Sequence, residues 1–315
     1  LGFIVDECHR AVTPATKREL ERFFKNSLWF GFTGTPRFDE NSYPQMGDLP
    51  RTTEALYGKC LHKYTIMNAI HDNAVLGFQV EHNGPKNIDD ETDSKVYENE
   101  KHMLKVLDVI LNKSYHKLGF QNGKGKTYVG LLTTSSIQQA QKYYELLTKV
   151  KNGETPLVID EKIKQVLPDF PKFAITYSVS ENKDNSMVNQ DKMKKSIDDY
   201  NRMFGTKFDI SQIQSYNGNL NKRLARKDSK YKSRNEQLDL VIVVDRLLTG
   251  FDAPCMSTIY IDRQPMGPHD LIQAFSRTNR IFDKNKAFGQ IVTFQAPVLF
   301  KECVDNAVKL YSAGG

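Results

Sequence analysis

The 315 residues are too many for one ordinary domain and fit two. A hydrophobic share of 39% with a charged share of 26% belongs to a globular protein able to build cores, which excludes a disordered or fibrous chain. The net charge of +6 permits a nucleic-acid partner without demanding one, no apolar run reaches membrane-spanning length, and Cys8, Cys60, Cys255 and Cys303 show neither metal spacing nor a paired framework, so free thiols in a reducing compartment are expected.

The chain opens at Leu1, inside an apolar run and without Met or a signal peptide, which predicts further protein upstream. Leu1–Val5 reads as a buried strand of a parallel sheet ending in Asp6-Glu7-Cys8-His9. Ligands sit at that end of open α/β sheets. Asp6 suits Mg²⁺, a hard cation that wants carboxylate oxygen, and Glu7 can orient or deprotonate an attacking water. The plain alternative is two surface acids ending a strand. Cys8 and His9 are adjacent on a strand end and point apart, which argues against both as metal ligands. Thr13-Pro14 reads as a cap and first helical position, with Leu20, Phe23 and Phe24 as that helix's buried stripe. Ser27–Phe32 is the next strand and runs into Thr33-Gly34-Thr35-Pro36, a tight polar loop whose hydroxyls can link the acids to whatever lies across a cleft. Residues 37–53 read as loop, and Tyr64–Ala74 as a helix capped by Thr65.

A boundary is predicted where Gly84-Pro85 and the acids Asp89, Asp90, Glu91 and Asp93 interrupt the pattern. The division expected is a first lobe over 1–78, a linker over 79–100, and a second lobe over 101–315 with a polar, partly helical insertion at about 150–170 and 180–235. Gly123-Lys124-Gly125-Lys126-Thr127 is not a phosphate loop, because its spacing is wrong and it precedes a strand. Strands are predicted at Tyr128–Leu132, Phe173–Tyr177, Leu238–Val244, Thr258–Ile261 and Gly289–Phe294, and helices at Met103–Leu111 and Ile137–Leu147. Strands alternating with helices make a second parallel α/β sheet. The run 221–234 carries Lys222, Arg223, Arg226, Lys227, Lys230, Lys232 and Arg234 against only Asp228, read either as a solvated helix face or as contacts to a phosphate backbone. Gly250 lets backbone approach a ligand, and Asp252 can accept from a ribose hydroxyl or an arginine. Asp270–Arg280 reads as one helix, with Gln273, Arg277 and Arg280 at i, i+4 and i+7 on one face. Two guanidiniums aimed one way suit a triphosphate, each forking onto two oxygens; a solvated basic face is the plain alternative.

Asp6-Glu7-Cys8-His9 resembles the Walker B motif of superfamily 2 helicases, Thr33–Pro36 their third motif, Leu248–Asp252 the fifth and Gln273–Arg280 the sixth, in the family's order and approximate spacing. The wording of Phe32–Pro36, Tyr57–Ile70, Tyr200–Asp209, Leu247–Pro254 and Leu271–Arg280 is similar to the motor (R) subunit of type I restriction enzymes, over nearly the whole chain. The resemblance implies two RecA-like parallel-sheet lobes, the first incomplete, and a motor that couples ATP hydrolysis to translocation of double-stranded DNA before cleavage. It implies Asp6 on Mg²⁺, Glu7 on the hydrolytic water, and His9, Thr33 and Thr35 coupling hydrolysis to the other lobe. Gly250 and Asp252 then line the nucleotide and nucleic-acid side of the cleft, with Gln273, Arg277 and Arg280 reaching across to the γ-phosphate and Arg277 or Arg280 as the arginine finger. Its partners would be the methylation and specificity subunits, in the cytoplasm of a bacterium or archaeon, with no membrane involved. The G-x-x-x-x-G-K-[ST] loop and any nuclease motif are absent from these 315 residues, so the segment alone is expected to be inactive. Two other readings stand beside this one: another superfamily 2 DNA or RNA helicase, or a non-catalytic nucleic-acid-binding scaffold.

Overall fold

A computed structural model of the chain describes residues 1–84, 94–177, 186–248 and 250–313. The acidic run Asp89, Asp90, Glu91 and Asp93, together with Pro85 and Thr249, lies outside the described residues. Among the described residues the strands form two parallel sheets. β1 (Gly2–Val5) pairs with β2 (Leu28–Gly31), Gly2 opposite Leu28 and Val5 opposite Gly31. The second sheet holds β3 (Gly77–His82), β4 (Val129–Thr134), β5 (Phe173–Thr176), β6 (Leu240–Val243), β7 (Met256–Asp262) and β8 (Phe288–Thr293). Their spatial order is β3-β8-β7-β4-β6-β5, with every neighbouring pair parallel.

β4, β6 and β7 are buried along their whole length, as their near-continuous apolar runs require of a sheet covered on both faces. The helices Ile137–Asn152, Ser186–Phe204, Ile213–Ala225 and Pro268–Phe275 supply much of the cover. The tract expected to be an insertion therefore belongs to the core layer: Met193, Ile197, Tyr200, Tyr216, Leu220 and Leu224 are all buried in the main cluster. At the end of β7, the fully buried Asp262 accepts from His102 Nε2 (2.7 Å), Gln139 Nε2 (2.9 Å), Tyr143 (2.5 Å) and Gln295 Nε2 (3.1 Å). A buried carboxylate needs such a set of donors, and this one ties three elements to one strand end.

The first sheet departs from the buried strand expected. Ile4 is 79% exposed and Leu28 65%, because two strands alone enclose no interior. The stripe expected on the helix Pro14–Phe23 is likewise not buried: Phe23 is 85% exposed, Phe24 is exposed and Leu20 is half-buried. That helix instead buries Lys17, whose ammonium lies 5.0 Å from the Trp29 ring centre and 2.5 Å from Glu21. A lysine stem can cover apolar surface while its head keeps an ion pair.

Two further expectations change. The stretch expected to begin the linker is strand: β3 lies parallel to β8, with Phe78 packed 5.7 Å from Phe275. The period-two alternation Phe78, Gln79, Val80, Glu81 was the available signal. The basic run is also not a uniform phosphate-binding face. Arg223 is fully buried, 2.5 Å from Glu236 and 3.7 Å from the Phe204 ring centre. Arg226 is buried and donates to the carbonyls of Thr127 (2.5 Å) and Leu238 (2.9 Å). Both guanidiniums serve the interior, where burial requires every donor to find an acceptor. Lys222, Lys227 and Lys230 remain exposed.

Gly289 shows how tightly β8 meets the turn that follows the helix Pro268–Phe275. A Cβ on Gly289 would lie 2.2 Å from Thr278 Oγ1 and 3.0 Å from Thr278 backbone carbon. Gly289→Ala is expected to destabilise the fold by about 1–3 kcal/mol, read by urea denaturation. A variant as stable as the parent would show that Thr278 can yield freely.

Candidate functional site

β1 delivers Asp6 and Glu7 to the edge of a gap between the two sheets. The Glu7 amide donates to Asp6 Oδ1 (2.9 Å), and Glu7 itself adopts φ 48°, ψ 43°. A non-glycine residue held in the left-handed region costs energy that the surroundings must supply. Cys8 N bonding Phe32 O (3.0 Å) and Phe32 N bonding Val5 O (2.8 Å) supply it by tying the two strand ends together. Cys8 is fully buried and burial pushes its thiol up to about 11, which leaves it protonated at ordinary pH.

The parallel register of β1 and β2 places the loop Thr33–Pro36 beside the turn that carries His9. Thr33 Oγ1 lies 2.6 Å from His9 Nδ1 and accepts from the Thr35 amide (3.0 Å). Glu7 Oε2 lies 3.4 Å from His9 Nδ1. Burial, reinforced by His269, Arg10 and Arg37, pushes the His9 imidazole down to about 3, so the ring is neutral at ordinary pH. Across the gap, Gln273 Nε2 donates to the buried Thr35 Oγ1 at 2.8 Å, and the His269 ring meets His9 edge-on at 4.3 Å.

The arginines arrive by a route the helical reading did not contain. The helix stops at Phe275 rather than running to Arg280. Ser276 Oγ donates back to Ile272 O (2.7 Å) and Thr278 Oγ1 to Phe275 O (2.9 Å). Such hydroxyls compete with the helical ladder and favour a turn. Gln273, Arg277 and Arg280 therefore do not share one helical face. Arg277 folds back, donating from Nε to Gln273 O (3.1 Å) and from its guanidinium to Phe251 O. Arg280 Nε lies 3.5 Å from Asp252 Oδ1, while Lys227 Nζ holds Asp252 Oδ2 at 2.7 Å. Lys227 in the first place, with Arg280 and Arg277, keeps the Asp252 carboxyl below its usual range.

The two halves share one electrostatic field. Arg277 is lowered by burial and by Arg280, while Asp252 and Glu7 favour its charge and Arg10 opposes it. Gly250, at φ 66°, passes close to Arg10: a Cβ there would lie 3.8 Å from the guanidinium. Arg10 and His269 are members of this cluster that sequence reasoning missed. Arg10 directly follows the Asp-Glu-Cys-His string, and only the one-turn helix Cys8–Ala11 swings it towards Gly250. No group of three or more His, Cys, Asp or Glu side chains is placed to hold a metal among the described residues. Asp6 alone, exposed and with one oxygen engaged by the Glu7 amide, fits a Mg²⁺ ion that takes its remaining ligands from phosphates and water. No helix among the described residues is long and apolar enough to cross a membrane.

The family model described as type I restriction enzyme subunit R domain 3 matches residues 126–296, and the SWI2/SNF2 ATPase model matches residues 1–108. A type I restriction enzyme endonuclease subunit of Staphylococcus aureus (strain COL) is 36% identical over 98% of this chain and 32% of its own length. The HindI endonuclease subunit of Haemophilus influenzae is 25% identical over 92% of this chain and 26% of its own length. The chain thus spans about a third or less of these relatives. Among solved structures, a fragment described as an HsdR subunit of a type I restriction enzyme from Vibrio vulnificus YJ016 superposes with a TM-score of 0.55 at 15% identity, over 96% of this chain and 45% of the other. The type ISP restriction-modification enzyme LlaBIII, bound to DNA, gives 0.50 at 14% identity, over 99% of this chain and 20% of the other. At such identities the likeness shows the fold, that of RecA-like parallel-sheet lobes.

The neutral, buried His9 has a consequence for stability. Its folded value near 3 lies below the ordinary 6.5, so the unfolded chain binds the proton first and stability is lost as pH falls from about 6.5 towards 3. Urea denaturation at several pH values in that window should show a shallower slope for His9→Gln than for the parent. Equal slopes would mean that His9 takes up its proton without cost.

Proposed function

Because this chain belongs to the type I restriction enzyme R-subunit family, we propose that it is the section of the motor in which ATP is hydrolysed to drive translocation along double-stranded DNA. What supports the reading is that Gln273, one turn before Arg277, donates to Thr35 of the first lobe at 2.8 Å, and that the Glu7 carboxylate favours the charge of Arg277. Glu7, whose Oε2 lies 3.4 Å from His9 Nδ1 and makes no hydrogen bond, would orient the attacking water or take its proton. Arg277 uses two of its five N–H donors on Gln273 O and Phe251 O and retains three for phosphate oxygen. Arg280 is half-exposed beside Asp252, its Nε unsatisfied, and suits charge that develops on the γ-phosphoryl group. Mg²⁺ held by Asp6 would neutralise charge on the phosphates.

His9, Thr33, Thr35 and Gln273 form the polar path by which a change at Glu7 reaches the second lobe. Gly250 and Asp252 border the gap, Asp252 fixing Lys227 and Arg280. Exposed Lys222, Lys227 and Lys230 are the members of the basic run left to meet a DNA backbone. Methylation and specificity subunits would choose the target sequence and anchor the motor, in the cytoplasm of the host cell.

In the full-length subunit, Arg277→Ala should lower DNA-stimulated ATP turnover by ~10³–10⁵ while DNA affinity stays within threefold or so. An equal loss of DNA affinity would assign Arg277 to the phosphate backbone instead. Residues 1–315 alone, which contain no G-x-x-x-x-G-K-[ST] string, should show no DNA-stimulated ATP turnover in a steady-state assay.

A further inference from the structure

Lys286 lies in the turn between Arg280 and β8 and is only 4% exposed. Its ammonium donates to Pro254 O at 2.7 Å and to Arg280 O at 2.8 Å. These two carbonyls close the two segments that build the second-lobe side of the gap. Pro254 ends the loop that begins at Gly250 and contains Phe251 and Asp252. Arg280 ends the turn that begins after Phe275 and contains Arg277. Each segment already touches the other through Arg277 on Phe251 O and Arg280 beside Asp252. Lys286 closes the same junction from behind, where neither arginine reaches.

A lysine is an expensive choice for that position. Among the described residues no carboxylate forms an ion pair with it. Asp283, in the same turn, spends Oδ1 on the amides of Asn285 and Lys286 (both 2.9 Å) and on Tyr128 (2.9 Å). A buried ammonium held only by carbonyls is tolerated where its donors do something that an apolar side chain cannot. Here the donors join two backbone segments that share no ladder.

We propose that Lys286 is a positioning residue for ATP hydrolysis: its ammonium locks the carbonyls of Pro254 and Arg280 together and so holds Arg277 against Phe251 and Arg280 beside Asp252. The inference rests on the nucleotide-cleft reading above. Burial pushes the Lys286 amine down to about 8, with Cys255 and Asp283 favouring its charge and Arg280 opposing it. Tyr128, Glu81, His116 and Lys117 border the same polar groove. The amine therefore loses its proton as pH rises through about 8; its two remaining N–H groups can still reach both carbonyls, but without the charge that strengthens those bonds. The effect on stability has the opposite sign. A folded value below the ordinary 10.5 means that this group's contribution improves between about pH 8 and 10.5, so activity and stability part company there.

The test is ATP turnover by the full-length subunit with DNA from pH 6.5 to about 9.5, for the parent, Lys286→Met, Lys286→Arg and Arg277→Ala, with melting temperatures in parallel. The parent kcat should fall above pH ~8 while its melting temperature does not fall with it. At pH 7.5, Lys286→Met should lower kcat ~10-fold or more, with KM for ATP within about threefold and the melting temperature within about 3 °C. Lys286→Arg, charged throughout, should restore most of the turnover and lack the limb near pH 8. A Lys286→Met enzyme with unchanged kcat overturns the proposal, and so does one whose loss only tracks unfolded protein. If Lys286→Met is silent while Arg277→Ala is dead, the cleft reading survives and the clamp does not. If Arg277→Ala turns over normally, the cleft reading itself falls.

Discussion

One buried hydrogen bond, from Gln273 to Thr35, joins the two sheets at the point where their functional residues meet. On its first-lobe side the chain of polar contacts continues through the Thr35 amide to Thr33, from Thr33 to His9, and on to Glu7. On its other side Gln273 passes to Arg277 through its own backbone carbonyl, and Arg277 to Phe251. Each contact is individually modest, about 1 kcal/mol net. Burial changes what they mean. Removing one partner while the lobes stay closed would leave the other buried and unsatisfied, which costs more than the bond itself contributes.

A second contact limits how the lobes can turn about that bond. Tyr311, on the helix Pro297–Ala313, accepts from Asn41 (2.6 Å) and donates to Pro36 O (3.3 Å) with its single hydroxyl. Phe38 packs against the same ring at 5.9 Å. Thr35 and Pro36 thus each anchor one contact to the second lobe, from adjacent positions of one loop. A displacement of that loop moves both, which gives the Thr33–Pro36 segment more leverage than its four residues suggest.

The two sheets solve burial differently, and the site inherits the difference. Around the six-stranded sheet two buried arginines are paired with carboxylates, Arg234 with Asp239 and Asp169 and Arg223 with Glu236, while Arg226 and Lys286 are held by backbone carbonyls. Such matching leaves little adjustable, which suits a rigid platform for Arg277, Arg280 and Lys286. The two-stranded sheet exposes Ile4, Leu28 and Phe30 and carries the strained Glu7.

The amino-acid sequence by itself determined the α/β class, most strands within a residue or two, and the Thr13 and Thr65 caps, because apolar runs and caps are local properties. Of the polar strings it singled out, the fold joins His9, Thr33, Thr35 and Gln273 by side-chain hydrogen bonds and sets Arg280 beside Asp252. The edge strand β3 was also legible in its alternation, though masked by the polar stretch after it. Only tertiary structure decided which cations face outward. Arg223 and Arg226 share the composition of Lys222 and Lys227, and what separates them is helical phase against a core whose carbonyls and rings lie far away in sequence. It decided, too, how the arginines are aimed. Helical spacing put them on one face, but the hydroxyls of Ser276 and Thr278 end the helix first, and the Phe251–Pro254 segment then draws both guanidiniums and Lys286 to itself. Backbone carbonyls carry no signature in a sequence, so what they hold becomes visible only when the chain has folded.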